Sequence, residues 1–199
     1  KGITLAIDEV MVEAARRARA VVAEKNPDLA DADEVALQVG LGALRFAMLK
    51  SEAKRVIDFR WEQALNLQGD SAPYVQYAHA RAASILRAAE EAGLDVADAD
   101  YARLGELELR LARTIARLPQ VRAQAARELA PHLVAQYALD LATAWNGYYN
   151  HRGPDGRPDT PVLRAEPGLR EARLALVAAV RRTLAEALDL LGIEAPDAM

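Results

Sequence analysis

The chain has 199 residues, 52% of them hydrophobic and 27% charged, which supplies a real core and excludes wholesale disorder. It contains no cysteine, so a disulfide framework, a thiolate metal site and a cysteine nucleophile are all excluded. Net charge is −4, but the halves differ: residues 1–100 carry 12 Lys/Arg against 17 Asp/Glu, and residues 101–199 carry 13 arginines against 12 acids. That balance permits an RNA-binding surface without indicating one, although arginine stacks on bases and forks onto phosphates better than lysine does. Alanine makes up about a fifth of the chain and Gly, Pro and aromatics are sparse, a mixture that favours helix over strand. No apolar run approaches the roughly 20 residues that span a bilayer, and no segment resembles a signal peptide; a soluble, cytoplasmic, helical protein is expected.

The first helix is predicted from Asp8, as its cap, to Lys25, with Met11, Ala14, Ala15, Ala18, Val21 and Val22 at helical spacing and Asn26-Pro27 as its stop. A second runs from about Asp33 to Leu49 and is expected to bury Leu37, Leu41, Leu44 and Met48. An extended stretch Val56–Phe59 and a brief helix Trp61–Leu67 follow, and Gly69 breaks the chain. The next helix has Asp70 or Ser71 as its cap and Pro73 in its first turn, and ends at Gly93 in a left-handed cap. A loop with Asp95, Asp98 and Asp100 leads to a helix ending before Pro119; helical segments then start at Pro119 and at Pro131, the latter reaching Asn150. Arg152–Pro167 holds four prolines and three acids and reads as one exposed loop. A last helix runs from Gly168 to Leu191, stopped by Gly192. The fold expected is all-α: a helical connector over residues 1–68 followed by a helix bundle over 69–199.

The chemistry of known catalytic motifs is missing. His79, His132 and His151 lie far apart without cysteine companions, so no metal site is expected. There is no Walker-type loop, no Gly-x-Gly-x-x-Gly after a strand and no Gly-x-Ser-x-Gly elbow. The residues read as a binding module with no catalytic residue and no cofactor of its own.

One helix carries a candidate site. Tyr74, Tyr77 and Arg81 fall within about 60° of each other on a helix of 100° per residue. Two phenols beside a guanidinium suit an unstacked base, the rings stacking and the arginine forking onto base edge or phosphate. Periodicity alone favours the alternative, in which both tyrosines pack in the core. Val75, Ala78, Ala82, Ile85, Leu86 and Ala89 form the adjoining core face, and Gln76, Ser84 and Arg87 are expected to point elsewhere.

Four ordered blocks resemble arginyl-tRNA synthetases. WEQALNLQGDSAPYVQYAHARAASILR (Trp61–Arg87) is similar to the entry of that family's C-terminal helical anticodon-binding domain. AEKNP (Ala23–Pro27) with GALRFAMLKSEAKRVIDF (Gly42–Phe59) resembles the helical region joining it to the catalytic domain. HLVAQYALDLATAWNGYYN (His132–Asn150) and RLALVAAVRRTLAEALDLLGIEAPDAM (Arg173–Met199) resemble the family's core helix and its C-terminal helix and tail. Lys1-Gly2 looks like the pair that follows the signature loop closing over ATP.

The resemblance implies that Tyr74, Tyr77 and Arg81 belong to the pocket for a splayed anticodon base, chiefly the middle cytosine, and that Met199 closes on it. Ala72, where the family often has glycine, and Leu67-Gln68, where an aromatic and an acid are common, depart from its pattern at the turn before this helix. On the core helix, Trp145 and Tyr148 are expected inside, and Tyr137 and His132 on the surface as further RNA contacts; His79 is expected to be structural. The partner implied is an arginine-accepting tRNA and not a membrane. The parent ligase would be monomeric, use ATP and Mg, and carry its catalytic domain outside these residues. A helical protein-interaction or ligand-sensing regulatory domain is the competing reading.

Overall fold

The computed structural model describes residues 6–199; the Lys1-Gly2 pair lies outside them. The described residues form eight α-helices and a single 3-10 turn, with one isolated bridge between Arg152 and Pro158 and no strand. The all-α expectation holds.

Helices α1 (Ile7–Lys25) and α2 (Ala32–Leu49) make a hairpin. The α1 cap is Ala6 with no side-chain bond, and Asp8 sits inside the first turn, where its charge meets the positive end of the helix. On α1 the buried residues are Ala14, Ala18 and Val22. Of the residues predicted to be buried on α2, Leu44 is inside and Leu41 half-buried, but Leu37 is 45% and Met48 50% exposed; Val35, Ala36, Val39, Gly40, Ala43 and Phe46 complete the buried face. The cause is close approach. A Cβ on Gly40 would stand 2.6 Å from the Ala14 carbonyl carbon and 2.8 Å from the Ala15 nitrogen. Only the small-residue face of α2 reaches that separation, so the larger leucine and methionine are turned outward.

The brief helix α3 spans only Trp61–Ala64. Phe59 meets Trp61 edge-on at 4.9 Å, and the Arg17 guanidinium lies 5.3 Å from the Trp61 ring, which ties this segment to α1. Helix α4 (Ala72–Glu91) begins as predicted: the Ser71 hydroxyl accepts the Tyr74 amide at 3.3 Å, Pro73 occupies the first turn, and Gly93 follows the end with φ 66°. Helices α5 (Glu106–Ile115), α6 (Leu118–Glu128), α7 (His132–Tyr149) and α8 (Leu169–Asp189) complete the bundle. The loop before α8 is not exposed throughout: Thr160 is buried, donating to the Tyr148 carbonyl at 2.6 Å, and Val162 joins the core.

Two apolar cores result. The larger joins α4, α7 and α8 through Val75, Ala78, Leu141, Trp145, Val177 and Leu184, with the Trp145 indole N–H donating to the Ala78 carbonyl at 3.1 Å. The smaller joins α1 and α2 to Ala80 of α4 and to Met199 at the chain end, with Tyr77 packed alongside. Helix α4 borders both.

The glycines provide a test. Gly40→Ala gains about 1 kcal/mol of helix propensity but drives a methyl into the α1 backbone, where overpacking costs about 1–3 kcal/mol; it should lower the urea midpoint. Gly147, inside α7, has no atom within 4 Å of a built Cβ, so Gly147→Ala should raise the midpoint by about 0.5–1 kcal/mol equivalent. Opposite signs in parallel denaturation curves are expected; equal signs contradict the hairpin geometry.

Candidate nucleic-acid interface

Helices α4 and α7 lie alongside each other, and their partnered residues run in step: Tyr74 with Thr143, Ala78 with Trp145, Arg81 with Asn146. Where both helices approach the surface, the Arg81 guanidinium lies 4.9 Å from the Tyr77 ring and 4.5 Å from the Tyr149 ring, and its Nη1 donates to Asn146 Oδ1 at 2.6 Å. Cation–π contact with two rings holds the guanidinium's plane and direction. Asn146 occupies one of its five donor positions. An open cleft begins here, lined by Tyr77, Arg81, Ser84 and Arg87 of α4, Tyr149 of α7 and Met199 of the tail, with Asn26 at its edge.

The sequence-predicted residues are therefore divided. Tyr77, Arg81 and Met199 share this cleft. Tyr74 is on the same stripe of α4 but lines a neighbouring cleft with Gln136, Asp140 and Thr143, its hydroxyl 3.4 Å from the Thr143 hydroxyl. His132 opens α7, half-buried, about 20 Å along the helix from Asn146 at 1.5 Å per residue. Tyr137 requires a correction: it is 1% exposed, not a surface residue, and its hydroxyl donates to the Ile115 carbonyl at 3.1 Å. Burial pushes its phenol up to about 12. Its polar neighbours Gln136 and Asp140 pair with each other nearer the surface, Gln136 donating to Asp140 at 3.0 Å, while the Tyr137 ring turns inward. Trp145 and Tyr148 are inside, as expected.

Four residues in or beside the cleft gave no signal in the sequence. Tyr149 gave no signal among four aromatics on one helix, and Asn146 gave none at all; only the packing of α7 along α4 brings them to Arg81. Ser84 and Arg87, expected to point elsewhere, line the cleft because the tail returns along α4 and forms its other wall. Gln76 does point away from both the stripe and the apolar face, and is fully buried against the tail, its amide N–H donating to the Glu194 carbonyl at 2.8 Å.

A family model described as DALR anticodon binding domain matches residues 75–199. The chain belongs to that family. Similar proteins include an arginine–tRNA ligase from Deinococcus radiodurans, 57% identical over all of this chain and 34% of its own length. Another is an arginine–tRNA ligase from Thermus thermophilus, 53% identical over all of this chain and 33% of its own length. The chain thus spans about a third of the curated relatives it matches. Among solved structures, Thermus thermophilus arginyl-tRNA synthetase superposes with a TM-score of 0.93 at 53% identity, over 98% of this chain and 32% of that one. The arginyl-tRNA synthetase of Plasmodium falciparum, 19% identical with a TM-score of 0.81 over 98% of this chain and 34% of that one, shares the fold.

In this DALR domain the electrostatics of the cleft come from Arg81 and Arg87, faced by Asp197 of the tail. Among the described residues no three His, Asp or Glu side chains gather as a metal site requires, and no helix is long and apolar enough to cross a membrane. His79, buried beneath the tail, has its Nδ1 3.0 Å from the Pro196 carbonyl, which makes Nδ1 the protonated nitrogen. Burial lowers its pKa; the Pro196 carbonyl and Asp197 oppose that shift, and Arg181 adds to it.

A folded-state pKa below the ordinary imidazole value of about 6.5 means that the unfolded chain binds a proton that folded His79 refuses. Stability contributed by neutral His79 is then complete above that pH, falls as pH drops toward the depressed folded pKa, and levels off below it. Urea midpoints should decline from pH 7.5 to pH 5.5 in the wild-type chain, and His79→Gln should flatten that decline. An equal slope in the variant contradicts the assignment.

Proposed function

We propose that this chain is the anticodon-loop-binding part of an arginine–tRNA ligase, which attaches arginine to its tRNA using ATP. The observation that carries the reading is the Tyr77–Arg81–Tyr149 arrangement in an open cleft closed by Met199. An unstacked base needs an aromatic face, a directed donor set and a wall that excludes water, and these side chains supply each. The arginine is the specificity element: held by two rings and Asn146, it offers N–H donors in a fixed direction, which suits the O2 and N3 acceptors of cytosine. Family membership and the relatives' activity support the same reading. It makes tRNA the partner, Tyr77, Arg81 and Met199 the base pocket, and Tyr74 and His132 outlying contacts along α4 and α7. Residues 69–199 form the binding domain and 1–68 the connector. ATP and Mg belong to other parts of the ligase, which acts as a cytoplasmic monomer.

Binding of an anticodon stem-loop by fluorescence anisotropy tests it. A loop with cytosine in the middle position should bind, and another base there should weaken binding by about fivefold or more, as should Tyr77→Ala, which removes one stacking surface. Tyr137→Phe should bind as the wild type does, since that ring never meets the cleft. Equal affinity for all loops would falsify the base-pocket assignment and leave the interaction-domain reading.

A further inference from the structure

The last eight residues of the chain lie along α4 held at successive backbone carbonyls. Arg45 donates to the Gly192 carbonyl, Gln76 to that of Glu194 at 2.8 Å, His79 to that of Pro196 at 3.0 Å and Arg87 to that of Asp197 at 3.3 Å. On α4, residues 76, 79 and 87 fall within about 80° of one another at 100° per residue, so a single face of that helix reads the tail's backbone. The tail's last polar fixing point is different in kind. The Asp197 carboxylate accepts a bidentate pair from Arg181 of α8, with Nε at 3.1 Å and Nη2 at 2.8 and 2.9 Å. Among the described residues no hydrogen bond holds Ala198 or Met199 beyond it. Met199 is nevertheless only 7% exposed, seated in the smaller core beside Ala80 and Tyr77.

We infer that Arg181 and Asp197 form a latch that positions Met199 against Tyr77 and so sets how tightly the cleft holds its base. Arg181 is a positioning residue that does not line the cleft; Asp197 lines it, and through its pair with Arg181 fixes Met199 two residues along the chain. A bidentate arginine–carboxylate pair fixes direction as well as distance, unlike a single contact to a flexible side chain. The burial of Gln76 and His79 anchors the tail upstream regardless of the latch, so breaking the latch releases the last residues and leaves the bundle intact. The inference rests on the base-pocket reading for its functional half only.

Two measurements separate the halves. The chain has three methionines, and Met11 and Met48, 36% and 50% exposed, serve as internal references for hydrogen peroxide oxidation followed by mass spectrometry. In the wild type Met199 should oxidise more slowly than both. Arg181→Ala should raise its rate several-fold with Met11 and Met48 unchanged and with thermal unfolding little altered. The exchange Arg181→Asp with Asp197→Arg should restore protection, and Asp197→Arg alone should not.

Affinity for the middle-cytosine stem-loop should fall with Arg181→Ala by up to about fivefold, the most an exposed pair of this kind returns; the exchange is read by Met199 oxidation alone, because Asp197→Arg changes the charge in the cleft itself. Unchanged Met199 protection in Arg181→Ala overturns the latch. Raised oxidation with unchanged stem-loop affinity overturns its role in setting the pocket. A wild-type chain that binds no loop overturns the base-pocket reading and the functional half with it, while the oxidation series still decides the latch.

Discussion

Helix α4 is packed on both sides, and its alanines make that possible. Ala78 and Ala82 sit in the larger core against α7 and α8, Ala80 sits in the smaller core with α1, α2 and the chain end, and each of these residues is buried. A methyl group costs no rotamer entropy on burial and lets a neighbouring helix come close. The cleft follows from this double packing. Tyr77 and Arg81 emerge where the two cores part, and the elements that flank them, α7 on one side and the returning tail on the other, are the ones α4 holds in place. A bulkier residue at 78 or 82 would move α7, and with it Asn146 and Tyr149, away from the guanidinium.

Arg81 shows how a charged group is made directional while it stays open to the cleft. An isolated surface arginine samples many rotamers, and fixing it on binding costs up to about 2 kcal/mol of side-chain entropy. Here the rings of Tyr77 and Tyr149 and the carbonyl of Asn146 impose that order in advance. Preorganisation of this sort contributes to affinity by removing an ordering cost at the moment of binding. The tail plays a comparable part for Met199, whose flexible side chain is confined between the smaller core and the cleft.

The hairpin of α1 and α2 illustrates a limit of periodicity. Apolar residues occupy nearly every side of α2, so the pattern 37, 41, 44, 48 and the pattern 35, 36, 39, 43, 46 are both helical stripes in the sequence. The close approach of the backbones at Gly40 and Ala14 selects the second stripe together with Leu44, and turns Leu37 and Met48 outward. Tyr137 is expected at the surface for a related reason. Its hydroxyl suggests contact with water, yet it finds its partner on a carbonyl distant in the chain, that of Ile115, as buried Gln76 does on that of Glu194.

Several features were settled by the sequence. Proline at 73 and 119 and glycine at 93 and 192 fixed the helix limits, because they act through local dihedral angles and need no distant partner. The candidate helix and its Tyr77–Arg81 pair were likewise visible, since residues four apart meet on any helix. The cleft itself was not. Asn146, Tyr149, Arg87 and the latch from Arg181 to Asp197 come together from three helices and the tail, through contacts that span 16 to 110 positions along the chain. No local rule encodes such distances. They are decided by which helix faces pack closely enough to exclude water, and that is a property of the assembled bundle.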